Sequence, residues 1–123
     1  MTAQSLDREH ISVVIRNYVE GMVFADEVLL RHAFHPACRI IGHYEGTLEW
    51  SSLDEFVSAI KAEGPAPREV KPFWETLSVD ITGDAAAVKV MDDYAGMRFT
   101  DYLSLLKINE RWMIVNKLYF VHE

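Results

Sequence analysis

The last third of the chain alternates between apolar and polar residues in a way that predicts three consecutive strands. These runs cover residues 86–94, 99–106 and 112–120. Short breaks at Gly96-Met97 and at Asn109-Glu110 separate them, and breaks of that length are typical of the turns in an antiparallel meander. The sequence therefore predicts a three-stranded antiparallel segment that ends the domain.

Two-residue turns at these breaks imply one register, which puts Asp92 and Asp101 on the same face of the sheet. Side chains alternate across a strand, so a slip of one residue would turn Lys89 or Lys107 into the core. Two close carboxylates in an apolar setting cannot both ionise cheaply, so we expect the pKa of one to be raised. The implied pairs are Tyr94 with Phe99, Asp92 with Asp101, Leu103 with Asn116, and Leu105 with Ile114, and the same inner face would carry Val88, Val90 and Leu118.

The first half of the chain shows helical spacing of its apolar residues. Ser5 or Asp7 is expected to cap the first helix and Ser51 or Ser52 the third, while Pro36 ends the second. The helices are expected over residues 5–22, 28–34 and 53–60, and two further strands over residues 39–44 and 73–81.

Three helices followed by a curved antiparallel sheet define an α+β domain, predicted to span residues 1–123 as one unit. The helices can cover only one face of the sheet. The other face is too apolar for open water, and a patch of that kind indicates an interface. We therefore expect a homodimer packed through the outer sheet face, with Met91, Tyr102, Leu106, Met113, Val115, Tyr119 and Val121 in the contact.

Composition narrows the classes of partner and location. With 19 acidic and 12 basic residues the net charge is −7, which argues against nucleic acid and anionic membranes as partners. The lone Cys38 fits a reducing compartment. No signal peptide or membrane-spanning run is visible, so a cytoplasmic location is expected.

The order of elements and three segments resemble a known superfamily. Residues 34–42, after a helix pair, resemble the nuclear transport factor 2-like superfamily, and residues 99–107 and 112–120 are similar to its putative lumazine-binding branch. The resemblance implies a cone-shaped, cystatin-like fold, in which a curled sheet wraps round a long helix and a cavity opens at one end. Members include transport adaptors, isomerases and dehydratases, so the resemblance implies a fold more strongly than a function.

Steroid isomerases of this superfamily offer a residue-by-residue comparison. Tyr18 matches their oxyanion-hole tyrosine, and Asp101 matches their protonated aspartic acid if the hairpin is two residues longer. Their catalytic base is a carboxylate where this chain has Gly42, and without a base no proton can be removed from carbon. Steroid isomerisation is therefore not expected. A different reaction that uses Tyr18, Asp92 and Asp101 as the catalytic residues remains open.

Apolar and aromatic residues from several segments are expected to ring the cavity, where they would serve either as core or as a platform for a flat ligand. The first hypothesis is a binding protein for a partly aromatic small molecule. The second is an acid–base enzyme, such as an isomerase, dehydratase or cyclase, and the third an adaptor that uses its sheet face. The predicted ligand-binding residues are Tyr18, Met22, Phe34, Trp50, Phe56, Trp74, Tyr94 and Asn116.

The histidines and the cysteine do not form a recognisable metal or nucleophile motif. The five histidines lack an acidic partner at ligand spacing, so no metal site is expected. Cys38 with His35 or His43 could form a thiolate–imidazole pair, but a structural role is the favoured interpretation. Gly42 and Gly46 do not open a helix, so no phosphate-binding loop and no cofactor are expected.

Overall fold

The computed structural model describes residues 2–123, which form three helices packed on a six-stranded sheet. This arrangement confirms the predicted α+β class. In chain order the elements are α1 (Ala3–Val23), α2 (Glu27–Ala33), β1 (Phe34–Tyr44), β2 (Thr47–Ser51), α3 (Leu53–Glu63), β3 (Trp74–Thr82), β4 (Ala85–Tyr94), β5 (Met97–Ile108) and β6 (Arg111–His122).

The sheet has the strand order β2-β1-β6-β5-β4-β3. Neighbouring strands are antiparallel except for β1 and β6, which run parallel in the middle of the sheet. The last strand of the chain is therefore flanked by β1 and β5. Side chains of β6 that point toward the helices lie at the centre of the domain.

Local capping explains where the helices begin. The Thr2 side chain accepts a hydrogen bond from the backbone N–H of Ser5, so α1 begins before the predicted Ser5 or Asp7 cap. Ser52 and Glu55 form a reciprocal capping box at the start of α3, which confirms one of the two predicted caps.

Asp7 has a different role from the cap that its position suggested. Its carboxylate is buried and accepts hydrogen bonds from the Trp112 indole N–H at 3.0 Å and from Lys107 Nζ at 2.9 Å. These two hydrogen bonds, Trp112 first, lower the pKa of Asp7. The first helix is thereby tied to the β5–β6 hairpin.

Strand β2 was not predicted from the sequence. It is a five-residue edge strand that pairs only with β1, and the turn before it places Glu45 and Gly46 at positive φ values of 50° and 81°. Leu48 and Trp50 remain 58% and 64% exposed. An edge strand without a buried apolar face gives little periodic signal, so the sequence pattern could not reveal it.

The β4–β5 register differs from the prediction by two residues. The turn is Ala95-Gly96, both at positive φ, so Tyr94 pairs with Met97 and Asp92 with Phe99, while Asp101 lies opposite Val90. A shift of two preserves the face of every side chain. Asp92 and Asp101 therefore share the inner face as predicted, but they lie diagonally across the two strands.

The β5–β6 pairing contains a bulge that the sequence did not indicate. Leu105 pairs with Ile114 as predicted, but Ser104 pairs with Asn116, so Val115 is the extra residue. The inward and outward positions beyond Val115 are therefore exchanged. Leu103 lies opposite Lys117 and not opposite Asn116.

This exchange corrects the predicted faces of β6. Lys117 and Tyr119 are 3% and 6% exposed on the inner face, whereas Leu118 is 46% exposed on the outer face. Tyr119 is therefore wrongly assigned to the outer face, and Met113, at 8% exposure, is already buried within the chain.

The outer face still presents three large exposed apolar side chains, Tyr102, Leu118 and Phe120. The predicted homodimer remains a prediction, now with these residues at its centre. Within residues 2–123, no helix is long and apolar enough to cross a membrane.

Candidate functional site

A cavity of about 740 Å³ opens between helix α3, the β1–β2 hairpin and the inner face of β5 and β6. Its wall is largely aromatic and aliphatic, with several glutamates and one lysine. The lining residues are Met22, Tyr44, Glu45, Thr47, Leu48, Glu49, Trp50, Ser51, Glu55, Phe56, Ala59, Ile60, Ala62, Glu63, Tyr94, Phe99, Lys117 and Tyr119.

Lys117 is the basic residue in the wall of this cavity, and it is almost entirely buried, at 3% exposure. Within residues 2–123 it forms no salt bridge, and its one polar contact is the thioether Sδ of Met22 at 3.9 Å. Four aromatic rings surround the ammonium and supply the attraction that a carboxylate would otherwise give. The distances from Lys117 Nζ to the ring centroids are 4.8 Å for Phe56, 4.9 Å for Tyr18, 5.2 Å for Tyr119 and 5.9 Å for Phe99.

The predicted catalytic residues lie together on the inner face, but none of them lines the cavity. Tyr18 Oη donates a 2.6 Å hydrogen bond to Oδ2 of Asp101, and both residues are 0% exposed, as is Asp92. Burial, together with the negative charges of the two aspartates, raises the pKa of Tyr18 well above its usual value. Tyr18 therefore acts as a hydrogen-bond donor.

Asp92 is the neutral member of the acidic pair. Burial, followed by a hydrogen bond with Asp101 and the charge of Asp101, raises the pKa of Asp92 to about 10, while Lys117 opposes the shift. The protonated carboxyl can donate to Asp101, whose Oδ1 has no other hydrogen-bond partner among residues 2–123. One proton shared by two aspartates leaves a single negative charge near the single positive charge of Lys117.

The position of the missing isomerase base is filled by another side chain. A Cβ atom on Gly42 would lie 2.7 Å from the ring of Tyr119, so no carboxylate fits there. Tyr119 Oη instead donates a 2.6 Å hydrogen bond to Oε1 of Glu49, which lies opposite Gly42 on β2. Ser51 Oγ donates to the other oxygen of Glu49 at 2.9 Å. A positioned carboxylate therefore reaches the cavity from the neighbouring strand.

Four of the predicted ligand-binding residues line the cavity: Met22, Trp50, Phe56 and Tyr94. The Tyr94 hydroxyl is buried without a partner among residues 2–123, and burial raises its pKa to about 12. It is thus a further hydrogen-bonding group at the cavity wall.

The other four predicted ligand-binding residues are not part of the cavity wall. Tyr18 and Phe34 are 0% exposed and pack edge to face, with ring centroids 5.5 Å apart. Trp74 is half-buried against the core beside Asp92. The bulge turns Asn116 to the outer side of β6, so its assignment to the ligand site is wrong.

Sequence reasoning missed Lys117, Glu49 and Tyr119 as cavity residues. Lys117 and Tyr119 were missed because the bulge at Val115 reverses their faces, and Glu49 because β2 was not recognised. The length of the apolar alternation in β6 gave no sign of the extra residue. The Glu45-Gly46 pair, whose glycine is typical of a turn, was the one available signal that a further strand could follow β1.

Cys38 and the histidines do not form the alternative nucleophile site. Cys38 is fully buried, and burial raises its pKa to about 11, so the thiol stays protonated. His35 Nδ1 accepts the backbone N–H of Ala37. Within residues 2–123, no group of three or more potential ligands is placed to hold a metal ion.

Comparison with protein families matches this chain over residues 6–120 to the family described as putative lumazine-binding. The match covers almost the whole domain, including every element that builds the cavity. The chain belongs to the putative lumazine-binding family. The predicted resemblance is thereby confirmed.

Solved structures place this family member in the nuclear transport factor 2-like superfamily. An NTF-2 like protein of unknown function from Silicibacter pomeroyi DSS-3 is 35% identical, with a TM-score of 0.92 over 99% of this chain and 100% of that one. A similar protein of unknown function from Shewanella baltica OS155 is 28% identical, with a TM-score of 0.88 over 100% and 99% of the two chains.

One curated relative of this protein is named after an enzymatic activity. The aldolase FrzH from Cladobotryum sp is 24% identical over 102 residues, which is 83% of this chain and 81% of the relative. Family membership and these relatives support a role in ligand binding or in catalysis, and they leave the ligand open.

Proposed function

We propose that this protein binds a small, uncharged, partly aromatic molecule in its cavity and directs a carbonyl or hydroxyl oxygen of that molecule toward Lys117. The observation that carries the proposal is the buried ammonium of Lys117, which has no carboxylate partner within salt-bridge distance. An ammonium has three hydrogen-bond donors, and a thioether is a weak acceptor. A ligand oxygen would supply the acceptor that the protein does not.

The shape and lining of the cavity support a flat, apolar body for this ligand. A volume of about 740 Å³ falls within the usual range for small-molecule sites, roughly 300–1,000 Å³. The rings of Phe56, Phe99 and Tyr119 surround the amine, so the part of the ligand next to its oxygen would also meet aromatic surface.

The charges around the cavity favour an uncharged ligand. Four glutamates line the wall against the single lysine, in a chain whose net charge is −7. A carboxylate or phosphate would meet this excess of negative charge on entry. A neutral carbonyl or hydroxyl group can accept the same hydrogen bond without that penalty. The glutamates are Glu45, Glu49, Glu55 and Glu63.

The proposal can be tested with acetophenone and ethylbenzene, which differ chiefly in one carbonyl oxygen. In protein labelled with 13C at the methionine methyl groups, the Met22 signal should move with acetophenone and less with ethylbenzene. Met22 contacts Lys117 and lines the cavity, whereas Met91 lies on the outer side of β4 and serves as an internal control.

Two lysine variants separate recognition of the oxygen from general loss of charge. Lys117→Met should abolish the preference for acetophenone over ethylbenzene. Lys89→Met is the matched control, because Lys89 also lies over an aromatic ring, 5.5 Å from the Tyr102 centroid, but on the other side of the sheet. Equal Met22 shifts for both compounds in the unaltered protein would overturn the proposal.

A second candidate function is acid–base catalysis on the bound molecule, favoured by the Glu49 carboxylate at the cavity wall. Glu49 is positioned by Tyr119 and Ser51 and could accept a proton from the ligand and return it to another atom of the ligand. The relative named as an aldolase is consistent with such a role.

The enzyme hypothesis predicts proton exchange on a bound ketone. Acetophenone in deuterated buffer should exchange its methyl protons faster with the protein than without it, as followed by proton NMR. Glu49→Gln should remove the acceleration while leaving the Met22 shift intact. If exchange is no faster with the unaltered protein than in buffer, Glu49 does not act as a base on this class of molecule.

A further inference from the structure

We propose that Lys117 forms a covalent imine with an aldehyde or ketone in the cavity. This inference rests on the proposed function, because the carbonyl oxygen that accepts a hydrogen bond from Lys117 brings its carbon next to Nζ. The inference goes beyond binding, since it assigns a nucleophile and a class of substrate. Lysines that are withdrawn from water are the ones that proteins use for this chemistry.

Burial distinguishes Lys117 from the other four lysines, which are exposed or half-buried. It is 3% exposed and forms no salt bridge within residues 2–123. By contrast, Lys107 Nζ forms a salt bridge with Asp7 Oδ1 at 2.9 Å, and Lys61 Nζ forms one with Glu27 Oε1 at 3.0 Å. Those two amines are held by carboxylates outside the cavity, whereas Lys117 Nζ lies among aromatic rings of the cavity wall.

The atoms and charges balance without an added reagent. One proton passes from the Lys117 ammonium to the carbonyl oxygen, and the nitrogen lone pair that this frees adds to the carbonyl carbon as the carbon–oxygen π bond breaks. A second proton passes from nitrogen to the hydroxyl group, which leaves as water while the carbon–nitrogen double bond forms. An ammonium and a carbonyl compound thus become a protonated imine and one water molecule.

Asp101 is the carboxylate on the strand next to Lys117. It lies on β5 diagonally across from Lys117 on β6, on the same inner face, because Asp101 pairs with Tyr119 and Lys117 with Leu103. Its Oδ2 accepts from Tyr18, and its Oδ1 is the acceptor available to protonated Asp92. Because Asp101 does not line the cavity, both protons pass directly from the Lys117 nitrogen to the ligand oxygen.

The aromatic surroundings suit the product as well as the starting amine. Because a protonated imine carries the same single charge as the ammonium, the rings of Tyr18, Phe56 and Tyr119 can stabilise both. The step therefore creates no new charge in the interior.

The experiment uses benzaldehyde as the probe and sodium cyanoborohydride to reduce any imine to a stable benzylamine. Peptide mass mapping at short times should find Lys117 benzylated at least about tenfold faster than Lys89, because binding in the cavity brings the amine and carbonyl together. Lys117→Arg keeps a cation but cannot form the adduct, and should remove only this modification. Circular dichroism checks that the variant is folded.

The outcomes separate this inference from the proposed function. If acetophenone moves the Met22 signal but benzaldehyde labels Lys117 no faster than the exposed lysines, the imine is overturned and the binding site stands. If neither probe reaches the cavity, both proposals fail. Preferential labelling of Lys117 in the unaltered protein supports the imine whether or not any variant folds.

Discussion

At the scale of single residues, the sequence identified the acidic pair but not how the pair divides its roles. Asp101 is the acceptor for Tyr18, and Asp92 carries the raised pKa. The acceptor role of Asp101 and the raised pKa of Asp92 both follow from burial of the two side chains on the inner face of the sheet. The alternation of apolar and polar residues in β4 and β5 predicted that shared face. The division depends on the two-residue shift in register and on Lys117, neither of which is visible in the spacing of the aspartates.

Asp92→Asn tests the assignment of the neutral carboxyl. The folded-state pKa of about 10 lies above the ordinary value of 3.8, so protonated Asp92 contributes stability that is fully present below about pH 4 and is lost as the pH rises toward 10. As the pH rises within this range, the free energy of unfolding of the unaltered protein should therefore fall relative to that of the variant. The fall should be at most about 1.4 kcal/mol per pH unit. Urea unfolding at pH 5 and pH 8 measures the difference, and Asp80→Asn, at an exposed site, is the control.

Asp101→Asn should behave differently, because Asp101 accepts the 2.6 Å hydrogen bond from Tyr18. The variant would keep a neutral acceptor oxygen but would weaken this hydrogen bond and bury an amide NH₂ group, which should cost about 1–3 kcal/mol at both pH values. If Asp101→Asn were harmless and Asp92→Asn costly at pH 5, the roles of the two aspartates would be reversed.

At the scale of elements, the helices and the long strands could be predicted from periodicity, but the cavity could not. The cavity depends on the bulge at Val115 and on the short edge strand β2, and both are decided by tertiary pairing. In Met113 to Phe120, three consecutive apolar residues stand on each side of Asn116-Lys117, so both faces of the strand carry apolar side chains and the pattern allows either face to be the inner one. The predicted register placed Asn116 inward and Lys117 outward, and the bulge reverses both.

Gly42→Ala tests the contact between β1 and β6 that shapes the cavity. The new Cβ atom would lie 2.7 Å from the Tyr119 ring, and overpacking of this kind costs typically about 1–3 kcal/mol. Urea unfolding should show this loss in the unaltered background and a clearly smaller one in Tyr119→Leu, whose side chain is smaller and more adaptable. Equal losses in the two backgrounds would mean that the ring does not occupy this space.

At the scale of the whole molecule, the α+β class and the superfamily were predictable because helical and strand periodicities are strong along most of this chain. The interface is harder to predict, since the faces of β6 depend on one bulge. We propose that a second copy of the chain covers the outer sheet face, where Tyr102, Leu118 and Phe120 are 49%, 46% and 59% exposed on neighbouring strands.

Phe120→Glu should dissociate this dimer, because burying an unpaired charge costs several kcal/mol. Light scattering should give twice the chain mass of 14.1 kDa for the unaltered protein and the single mass for the variant. Val28→Glu is the control, since Val28 is 78% exposed on helix α2, away from that face. A monomer at micromolar concentration in the unaltered protein would contradict the proposed interface.

Lys117 lies inside the aromatic cavity, and NMR of the lysine side chains can detect this placement. The chain has five lysines, and protons held over aromatic ring faces are shielded. We expect one set of ε-methylene signals well upfield of the other four, absent in Lys117→Met, retained in Lys89→Met and moved by acetophenone. Five lysines with ordinary ε-methylene shifts would contradict the inward orientation of Lys117 and, with it, the site.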